Sequence, residues 1–260
     1  MPADRRFSLV TPFLFQVGEL GLLMSRTFRN FFRRPFEGDI FRQQLEEIGV
    51  RSLPVVSLTA AFGGLVFALQ TYIGFHRYIG QGSEAYGGPI LSLGLCKELI
   101  PILVGLMVSG RVGSAMAAEI GTMKITEQVD ALHSLGADPN RYLVVPRVLA
   151  SFLMLPLLTL YGDIIGIASG FIYNIYGMGI NRIIYLRNTL LYLELWDIVG
   201  GMLKASIFGV MIAVIGCWQG LKTEGGAEGV GRATTKTVVV ASIGILIMNF
   251  FLSRLLPSTL

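Results

Sequence analysis

The stretch PILSLGLCKELIPILVGLMVS, residues 89–109, is long and apolar enough to cross a membrane as one helix. A spanning helix needs roughly 20 mostly apolar residues, and Lys97 and Glu98 are the only charged residues in this stretch. Four further stretches have the same character, at residues 53–73, 148–172, 198–218 and 236–257. The sequence therefore predicts an all-α integral membrane protein with five spans.

The overall composition argues against a soluble globular protein. Of the 260 residues, 53% are hydrophobic and 15% are charged, whereas a soluble domain carries about 25% charged residues. Cys96 and Cys217 both fall inside apolar stretches, so we expect reduced thiols and no disulfide framework. The glycine-rich stretch GGAEGVGRATT, residues 225–235, lacks the Gly-Lys-Ser/Thr ending of a phosphate-binding loop and is interpreted as a flexible hairpin. No pair of histidines, cysteines or carboxylates has convincing metal-ligand spacing, and we expect His76 and His133 on opposite sides of the membrane. We therefore predict no metal site and no catalytic residue.

Lysine and arginine residues indicate how the chain is oriented, because they accumulate in cytoplasmic loops. With a cytoplasmic N-terminus, fifteen of them fall in inside segments and four in outside segments, namely Arg77, Arg182, Arg187 and Arg254. This bias predicts that the N-terminus and residues 118–132 lie in the cytoplasm and that the C-terminus lies outside.

Residues 1–51 form a separate N-terminal element that precedes the five-span domain of residues 52–260. Apolar residues recur here every three or four positions and would share one helix face: Val17, Leu20, Met24, Phe28 and Phe31. Arginines would share another face: Arg26, Arg29 and Arg33. Such a pattern predicts an amphipathic helix, which either lies in the headgroup plane of the membrane or packs against the flank of the protein itself.

Residues 118–132, AEIGTMKITEQVDAL, are polar and helix-patterned although they lie between two apolar spans. A row of small residues, which permits close helix packing, leads into them at every fourth position: Gly105, Ser109, Gly113, Ala117 and Gly121. The second span therefore continues as a helix into the cytoplasm. We expect a break at Asp138, because the residue before a proline disfavours helical geometry. This segment, about residues 111–145, is either a solvated loop helix or a surface that contacts a partner.

Charged residues inside the predicted spans require a partner or a wet cavity, because a charge at the bilayer centre costs about 2.5–3.5 kcal/mol or more. Lys97 and Glu98 lie near mid-depth in the second span, and Lys204 lies in the fourth. Neighbouring residues on a helix point about 100° apart, so Lys204 is a better partner for Glu98 than Lys97 is. The charges either fix the register of the helices or line a functional cavity.

Three longer stretches are more specific than any of these single features. They are KELIPILVGLMVSGRVGSAMAAEIG at residues 97–121, AEIGTMKITEQVDALHSLGADPNRYLVVPRVLA at residues 118–150, and GVGRATTKTVV at residues 229–239. Together they strongly resemble the MlaE/YrbE family of ABC transporter permeases, over about residues 45–255. Members of that family are homodimers that move phospholipids between the inner and outer membranes of diderm bacteria with MCE-domain proteins, and so maintain the lipid asymmetry of the outer membrane.

The resemblance implies the partners and the location of the protein. The partners are a second copy of the chain, a cytoplasmic ABC ATPase (MlaF-like), a periplasmic MCE protein (MlaD-like), a small STAS-domain protein (MlaB-like) and phospholipid, with no nucleic acid. The ATPase would use ATP and Mg²⁺, while this chain binds no cofactor and has no ATPase site. The location would be the bacterial inner membrane.

The resemblance also implies two sets of functional residues. The family's lipid pocket falls on the end of the first span and the start of the second: Phe67, Gly74, Phe75, Tyr78, Lys97, Glu98 and Leu99. We add Lys204 of the fourth span to this predicted site, because it is the expected partner of Glu98. Its ATPase-contacting coupling helix falls on residues Glu119, Thr126, Glu127, Gln128, Asp130 and Asp138. The alternatives are a permease for another hydrophobic substrate, such as a sterol or another lipid, and an intramembrane lipid-modifying enzyme.

Overall fold

The computed structural model describes residues 15, 18–27, 29, 38–78 and 86–256. From residue 38 onward this described part contains eight helices and no strand. They are α1 (Gly38–Ile48), α2 (Leu53–Tyr78), α3 (Gly87–Ile125), α4 (Gln128–Ser134), α5 (Asn140–Gly177), α6 (Arg182–Tyr192), α7 (Leu195–Leu221) and α8 (Gly226–Leu255).

Five of these helices, α2, α3, α5, α7 and α8, are long and apolar enough to cross a membrane. The predicted all-α architecture with five spans is therefore confirmed. The helices extend beyond the predicted apolar stretches, most of all α3, which runs to Ile125 instead of residue 109. Hydropathy identifies only the part of a helix that hydrocarbon can cover, whereas the backbone hydrogen bonds of a helix continue into a polar environment.

The alternating direction of the five long helices gives the bundle two chemically different ends. One end, called here the basic end, carries exposed or partly exposed cations on the loops and helix termini: Arg51, Lys124, Arg141, Lys222 and Arg232. The other, called here the aromatic end, carries exposed tyrosine and tryptophan side chains: Tyr78, Tyr86, Tyr176, Tyr192 and Trp196. Tyrosine and tryptophan are enriched where a membrane meets water.

The prediction of a flexible hairpin at residues 225–235 is wrong. This stretch forms the first three turns of α8, which begins at Gly226. Gly225 and Gly226 have φ angles of 86° and 70°, a left-handed conformation that glycine adopts without steric cost. The turn between α7 and α8 is therefore short, and the glycines allow a sharp reversal of the chain.

Rows of small residues bring the central helices into close contact. A Cβ atom added to Gly216 of α7 would lie 2.9 Å from the carbonyl oxygen of Gly113, and one added to Gly220 would lie 3.1 Å from that of Ala117. The row predicted on α3 therefore packs against the glycine row of α7. α5 and α7 form the centre of the bundle, whereas only 17% of the apolar stretch of α8 is buried within the chain.

Arg111 of α3 fixes the start of the chain's first long helix. Its Nη1 donates to the backbone oxygen of Glu47, at 3.0 Å, and to Oγ of Ser52, at 2.8 Å. These two residues flank Gly49, where the chain passes from α1 into α2 through a 3₁₀ turn. The buried end of α1 is thereby tied to the basic end of the bundle.

The N-terminal helix packs against the flank of the bundle as far as it is described. Residues 18–27 are helical, Leu20 contacts the core, Thr27 is buried, and Glu19 forms an ion pair with Lys222. Leu22 and Met24 remain exposed, so the chain leaves some apolar side chains of this helix uncovered. Four residues of the predicted pattern lie outside the described residues: Val17, Phe28, Phe31 and Arg33.

The helix α6 crosses the aromatic end between α5 and α7. The side chain of its Tyr185 is buried, and the Tyr185 hydroxyl accepts a hydrogen bond from Nδ2 of Asn174 at 3.1 Å. Burial raises the pKa of Tyr185 above its ordinary value. A Cβ atom on Gly88 would lie 2.3 Å from Oγ1 of Thr189, so the start of α3 is packed tightly under α6.

Candidate functional site

Lys204 of α7 is the centre of a polar network that joins three helices. Its Nζ donates three hydrogen bonds of 2.8 Å, to the backbone oxygen of Lys97, to Oε1 of Glu98 and to Oγ of Ser253. An ammonium group has three donors, so all of them are satisfied although the side chain is only 5% exposed. The predicted pairing of Glu98 with Lys204 is confirmed.

Local sequence explains why Lys204 finds a free carbonyl. Pro101 has no N–H to donate to the carbonyl of Lys97 four residues before it, and residues Leu95–Leu99 form a wider π-helical turn. Gly201 allows the close approach of α7, because a Cβ atom there would lie only 2.2 Å from the backbone oxygen of Cys96. The proline and the glycine together place the Lys204 ammonium against the α3 backbone.

Glu98 receives hydrogen bonds from α8 as well as from Lys204. Nδ2 of Asn249 donates to Oε2 at 2.8 Å, and Oγ of Ser253 lies 2.8 Å from Oε1 and 3.0 Å from Oε2. The carboxylate nevertheless stays 44% exposed. It is held in one orientation and can still accept a further hydrogen bond from a ligand.

A second ion pair lies beside the first. Nζ of Lys97 is 2.7 Å from Oδ1 of Asp197, and Oδ2 of Asp197 accepts a hydrogen bond from the backbone N–H of Glu194 at 3.0 Å. Asp197 is therefore both a cap for the first turn of α7 and the counter-ion of Lys97. The Lys97 side chain remains 31% exposed, so its other donors can reach a ligand.

These groups line one pocket of about 290 Å³, called here the ionic pocket. Two lysines and two carboxylates give it a balanced charge, and Ser253 adds a hydroxyl. Its remaining walls are mainly apolar or glycine, including Trp196 and Leu256. Asp197 is in the first turn of α7 and Ser253 in the last turn of α8, so the pocket lies in the half of the bundle nearer the aromatic end.

A second cavity, of about 400 Å³, lies along the last turns of α2 and is called here the aromatic cavity. Four of the residues predicted for the lipid pocket line it: Phe67, Gly74, Phe75 and Tyr78. Ile90 of α3 lies at its edge, and because Ile90 and Tyr78 are exposed, this cavity is a shallow groove that is open on one side. The Phe67 ring also reaches α3, because a Cβ atom on Gly94 would lie 2.7 Å from it.

The structure thus distributes the predicted lipid-pocket residues over two cavities near the same end. Lys97, Glu98 and Lys204 line the ionic pocket, whereas Leu99 packs against the hydrophobic core. Sequence reasoning missed Asp197, Asn249 and Ser253. Asn249 and Ser253 are four residues apart, so they share one face of the fifth span. Two polar residues with this spacing in an apolar helix are a signal that could have identified them.

The coupling segment is divided where one helix was expected. α3 ends at Ile125, Glu127 adopts φ 60°, and α4 begins at Gln128. A residue other than glycine is rarely left-handed, and Glu127 is the only such residue in the described part of the chain. All six predicted contact residues are exposed: Glu119, Thr126, Glu127, Gln128, Asp130 and Asp138.

Two of the predicted contact residues already have ion-pair partners within the chain. Nη2 of the buried Arg147 is 2.7 Å from Oε2 of Glu119, and Nζ of Lys124 donates to both carboxylate oxygens of Asp130 at 2.8 and 2.9 Å. The first pair joins α3 to α5, and the second holds α4 against the end of α3. Asp138 accepts a hydrogen bond from the N–H of Asn140 and so caps α5.

The described fold and its ionic pocket define a polytopic helical membrane protein with a polar cavity between its spans. The sequence profile of the family described as Permease MlaE matches residues 41–255. The chain therefore belongs to the MlaE permease family.

Curated relatives agree with this assignment. The chain is 46% identical over 240 residues to a probable ABC transporter permease protein of Rickettsia typhi, and this alignment covers 92% of both proteins. It is 46% identical over 214 residues to a probable ABC transporter permease protein of Synechocystis, covering 82% of this chain and 80% of the relative. It is also 44% identical over 218 residues to the protein TRIGALACTOSYLDIACYLGLYCEROL 1, chloroplastic, of Arabidopsis thaliana, covering 81% of this chain and 59% of the plant protein.

The protein is accordingly a multi-pass membrane permease, the transporter subunit of an ABC system. A permease of this kind implies a separate ATPase partner, and the exposed residues of the coupling segment are the surface that the sequence predicts for that contact.

Proposed function

We propose that this permease moves phospholipids between the inner and outer membranes of a bacterium, as a homodimer that works with a cytoplasmic ATPase and a periplasmic MCE-domain protein. The observation that carries the proposal is the ionic pocket, in which Lys97 and Glu98 are held by intramolecular partners yet remain partly exposed. A phospholipid is the substrate class that needs both a charged site and an apolar site.

The two cavities match the two parts of a phospholipid. The free donors of Lys97 suit a phosphate, and a charge-assisted hydrogen bond to phosphate is about twice as strong as a neutral one. The aromatic cavity offers the rings of Phe67 and Phe75 to an acyl chain. Both cavities lie in the half of the bundle nearer the aromatic end.

A second copy of the chain would cover apolar surface that one copy leaves open. The α8 helix presents a row of exposed apolar side chains along one side: Val239, Ile243, Leu246, Ile247 and Phe250. Glu98 faces the same side of the molecule through its contacts with Asn249 and Ser253 of α8. Dimerisation beside α8 would enclose the ionic pocket between two chains.

The α3 helix supports a physical link between the ATPase and the pocket. It carries Glu98 and continues without interruption to Ile125 beside the coupling segment, a distance of about 40 Å at 1.5 Å per residue. A displacement of the coupling segment would therefore reach the pocket as a rigid-body movement of α3.

Lipid transfer in a reconstituted system tests the proposal. The complex purified through a tag on this chain should contain an ATPase and an MCE protein. In ATP it should transfer fluorescent phospholipid between donor vesicles and acceptor vesicles, and native mass spectrometry should report two permease chains with bound phospholipid. Transfer of a sterol in place of phospholipid, or a complex without an MCE protein, would contradict the proposal.

Orientation gives a separate prediction. Five spans and the positive charges of the basic end favour an N-terminus in the cytoplasm and a C-terminus in the periplasm. A reporter that is active only in the periplasm should be active when fused after Leu260, and the same reporter inserted after Gly136 should be inactive. The reverse pattern would invert the assignment of the two ends.

The coupling surface gives another prediction. Glu127→Lys should lower the amount of copurified ATPase several-fold, because Glu127 is exposed and has no ion-pair contact within the described part of the chain. Lysine meets the same left-handed backbone geometry as glutamate, so the fold should be unaffected. ATPase recovery is measured by quantitative immunoblotting of the complex.

The matched control is Glu46→Lys, which makes the same charge change at an exposed position of α1. Asp130→Lys is a poorer test, since it also breaks the ion pair with Lys124. Equal ATPase recovery from the Glu127→Lys, Glu46→Lys and unmodified proteins would show that Glu127 does not contact the ATPase.

A further inference from the structure

A third cavity, of about 340 Å³, lies under the N-terminal helix and is called here the flank cavity. Met24 and Thr27 of residues 18–27 form its roof. Its floor is formed by α5 and α7, through Val145, Val148, Leu149, Phe152, Val210 and Val214. Apart from the Thr27 hydroxyl, which bonds to the backbone oxygen of Leu23 at 2.8 Å, these side chains are apolar.

The flank cavity lies at the basic end, away from the ionic pocket. Val145 lies one turn and a half into α5, which starts at the basic end, and Val214 precedes Trp218 and Lys222 at the end of α7. Lys204 and Val214 are ten residues apart on α7, a distance of about 15 Å along the helix. A ligand in the flank cavity therefore cannot be the headgroup bound at the ionic pocket.

The size and the apolar lining of the flank cavity fit an acyl chain. A spanning helix of a partner has a diameter of about 10 Å and cannot enter it. Water does not fill apolar cavities, and a water molecule occupies about 30 Å³ in the liquid. If a methylene group needs a similar volume, the cavity holds roughly ten of them, which is most of one acyl chain.

The N-terminal helix places cations on the side opposite the cavity. Arg26 and Arg29 are both exposed, and at 100° per residue they point away from Met24 and Thr27. Met24 and Thr27 thus face the flank cavity, while the two arginines face the headgroup layer of the membrane. The ion pair of Glu19 with Lys222 holds the other end of the helix against α7.

We propose that the flank cavity binds one acyl chain of an anionic phospholipid, whose headgroup lies beside Arg26 and Arg29. This lipid is a resident one, held at the basic end while the substrate uses the ionic pocket. It would fix the N-terminal helix to the bundle, since removing it leaves Met24 and Phe152 facing an empty space. The inference does not depend on which lipid the permease transports.

The chain has two tryptophans, one at each end of the bundle, which provides a direct test. Trp218 is one helical turn from Val214, whereas Trp196 lies at the ionic pocket. In purified Trp196→Phe protein, phosphatidylglycerol with a brominated acyl chain should quench Trp218 fluorescence saturably. Brominated phosphatidylcholine should need at least a fivefold higher fraction in the mixed micelles. In the matched Trp218→Phe protein, the remaining Trp196 should show no such preference.

Two variants separate the chain site from the headgroup site. Val148→Phe in the Trp196→Phe background fills the cavity and should abolish the saturable quenching by both lipids. Arg26→Gln with Arg29→Gln should remove only the preference for phosphatidylglycerol. Thermal unfolding shows whether each variant is folded, and native mass spectrometry of the complete complex should show one phospholipid fewer per permease chain for Val148→Phe.

Three results would overturn the proposal. Equal quenching by the two brominated lipids in the Trp196→Phe protein that retains Arg26 and Arg29 would show that no anionic lipid is selected. Quenching that persists in folded Val148→Phe would place the lipid outside the cavity. An unchanged lipid count for Val148→Phe in the complete complex would show that a partner, and not a lipid, covers this flank.

Discussion

Glu98→Leu should destabilise the permease by about 3–5 kcal/mol, the cost of leaving one partner of a buried ion pair uncompensated. Lys204→Met should cost only about 1–2 kcal/mol. The difference arises from what remains behind. Glu98→Leu leaves the ammonium of Lys204, which is 5% exposed, without a counter-charge, whereas Lys204→Met leaves a carboxylate that is 44% exposed and keeps its bonds to Asn249 and Ser253.

The double variant separates the structural role of this pair from its role in transport. Glu98→Leu with Lys204→Met removes both charges, and replacing a buried ion pair by apolar residues is often neutral or stabilising. Its stability should therefore return to within about 1 kcal/mol of the unmodified protein. Its lipid transfer should remain at least tenfold reduced, because the pocket keeps Lys97 but has lost the Glu98 carboxylate, which is proposed to accept a hydrogen bond from the headgroup.

Thermal or denaturant unfolding of the purified permease and vesicle-to-vesicle lipid transfer are the two measurements. A double variant that is stable and transfers lipid at the normal rate would make the pair purely structural. If Lys204→Met were more destabilising than Glu98→Leu, the burial that we assign to the two side chains would be incorrect.

Gly64→Leu should prevent stable folding of the permease, and Gly64→Ala should destabilise it by about 3 kcal/mol, the upper part of the range for overpacking. At this point the backbones of α2 and α5 touch. A Cβ atom on Gly64 would lie 2.1 Å from the backbone oxygen of Gly166 and 2.5 Å from Oγ of Ser169. Ser169 also donates to the backbone oxygen of Ala61 at 2.9 Å, and separating the helices would break this bond.

A backbone oxygen cannot move aside in the way that a flexible side chain can, so the two helices must separate to admit a Cβ atom. Gly74→Ala is the matched control in the same helix, because its Cβ atom would meet nothing within 4 Å. Its unfolding midpoint should equal or slightly exceed that of the unmodified protein, since alanine favours a helix over glycine by about 1 kcal/mol. Folded Gly64→Leu protein with an unchanged midpoint would contradict the close packing of α2 and α5.

The tests of Glu98 and Gly64 address different properties of the bundle. The glycine contact holds α2 against α5, whereas the Lys204 network joins α3, α7 and α8. A loss of transport in the stable double variant can therefore be assigned to the chemistry of the pocket, while the Gly64 variants show how much stability depends on close helix packing.

The sequence by itself determined the class of fold and the number of spans. An apolar stretch of about 20 residues has one favourable solution in a bilayer, because every backbone polar group must be paired within the segment. The pairing of Glu98 with Lys204 was also predictable, since two opposite charges in separate apolar spans both need a partner. The close packing of the small-residue row of α3 was foreseeable from the sequence, because small side chains permit close helix approach, whereas only the fold showed that its partner is α7.

Only the tertiary structure decided where the polar groups of the site meet. Asp197 and Ser253 lie near helix ends, where sequence alone indicates ordinary caps or interface residues, and their role depends on which helices are neighbours. The break at Glu127 could not be predicted from the sequence, because helical periodicity continues across it. The helix at residues 226–235 could not be predicted either, because glycine lowers helix propensity. Before α4, packing outweighed the local preference: Val129 is buried in a small second core with Ile120 and Leu143.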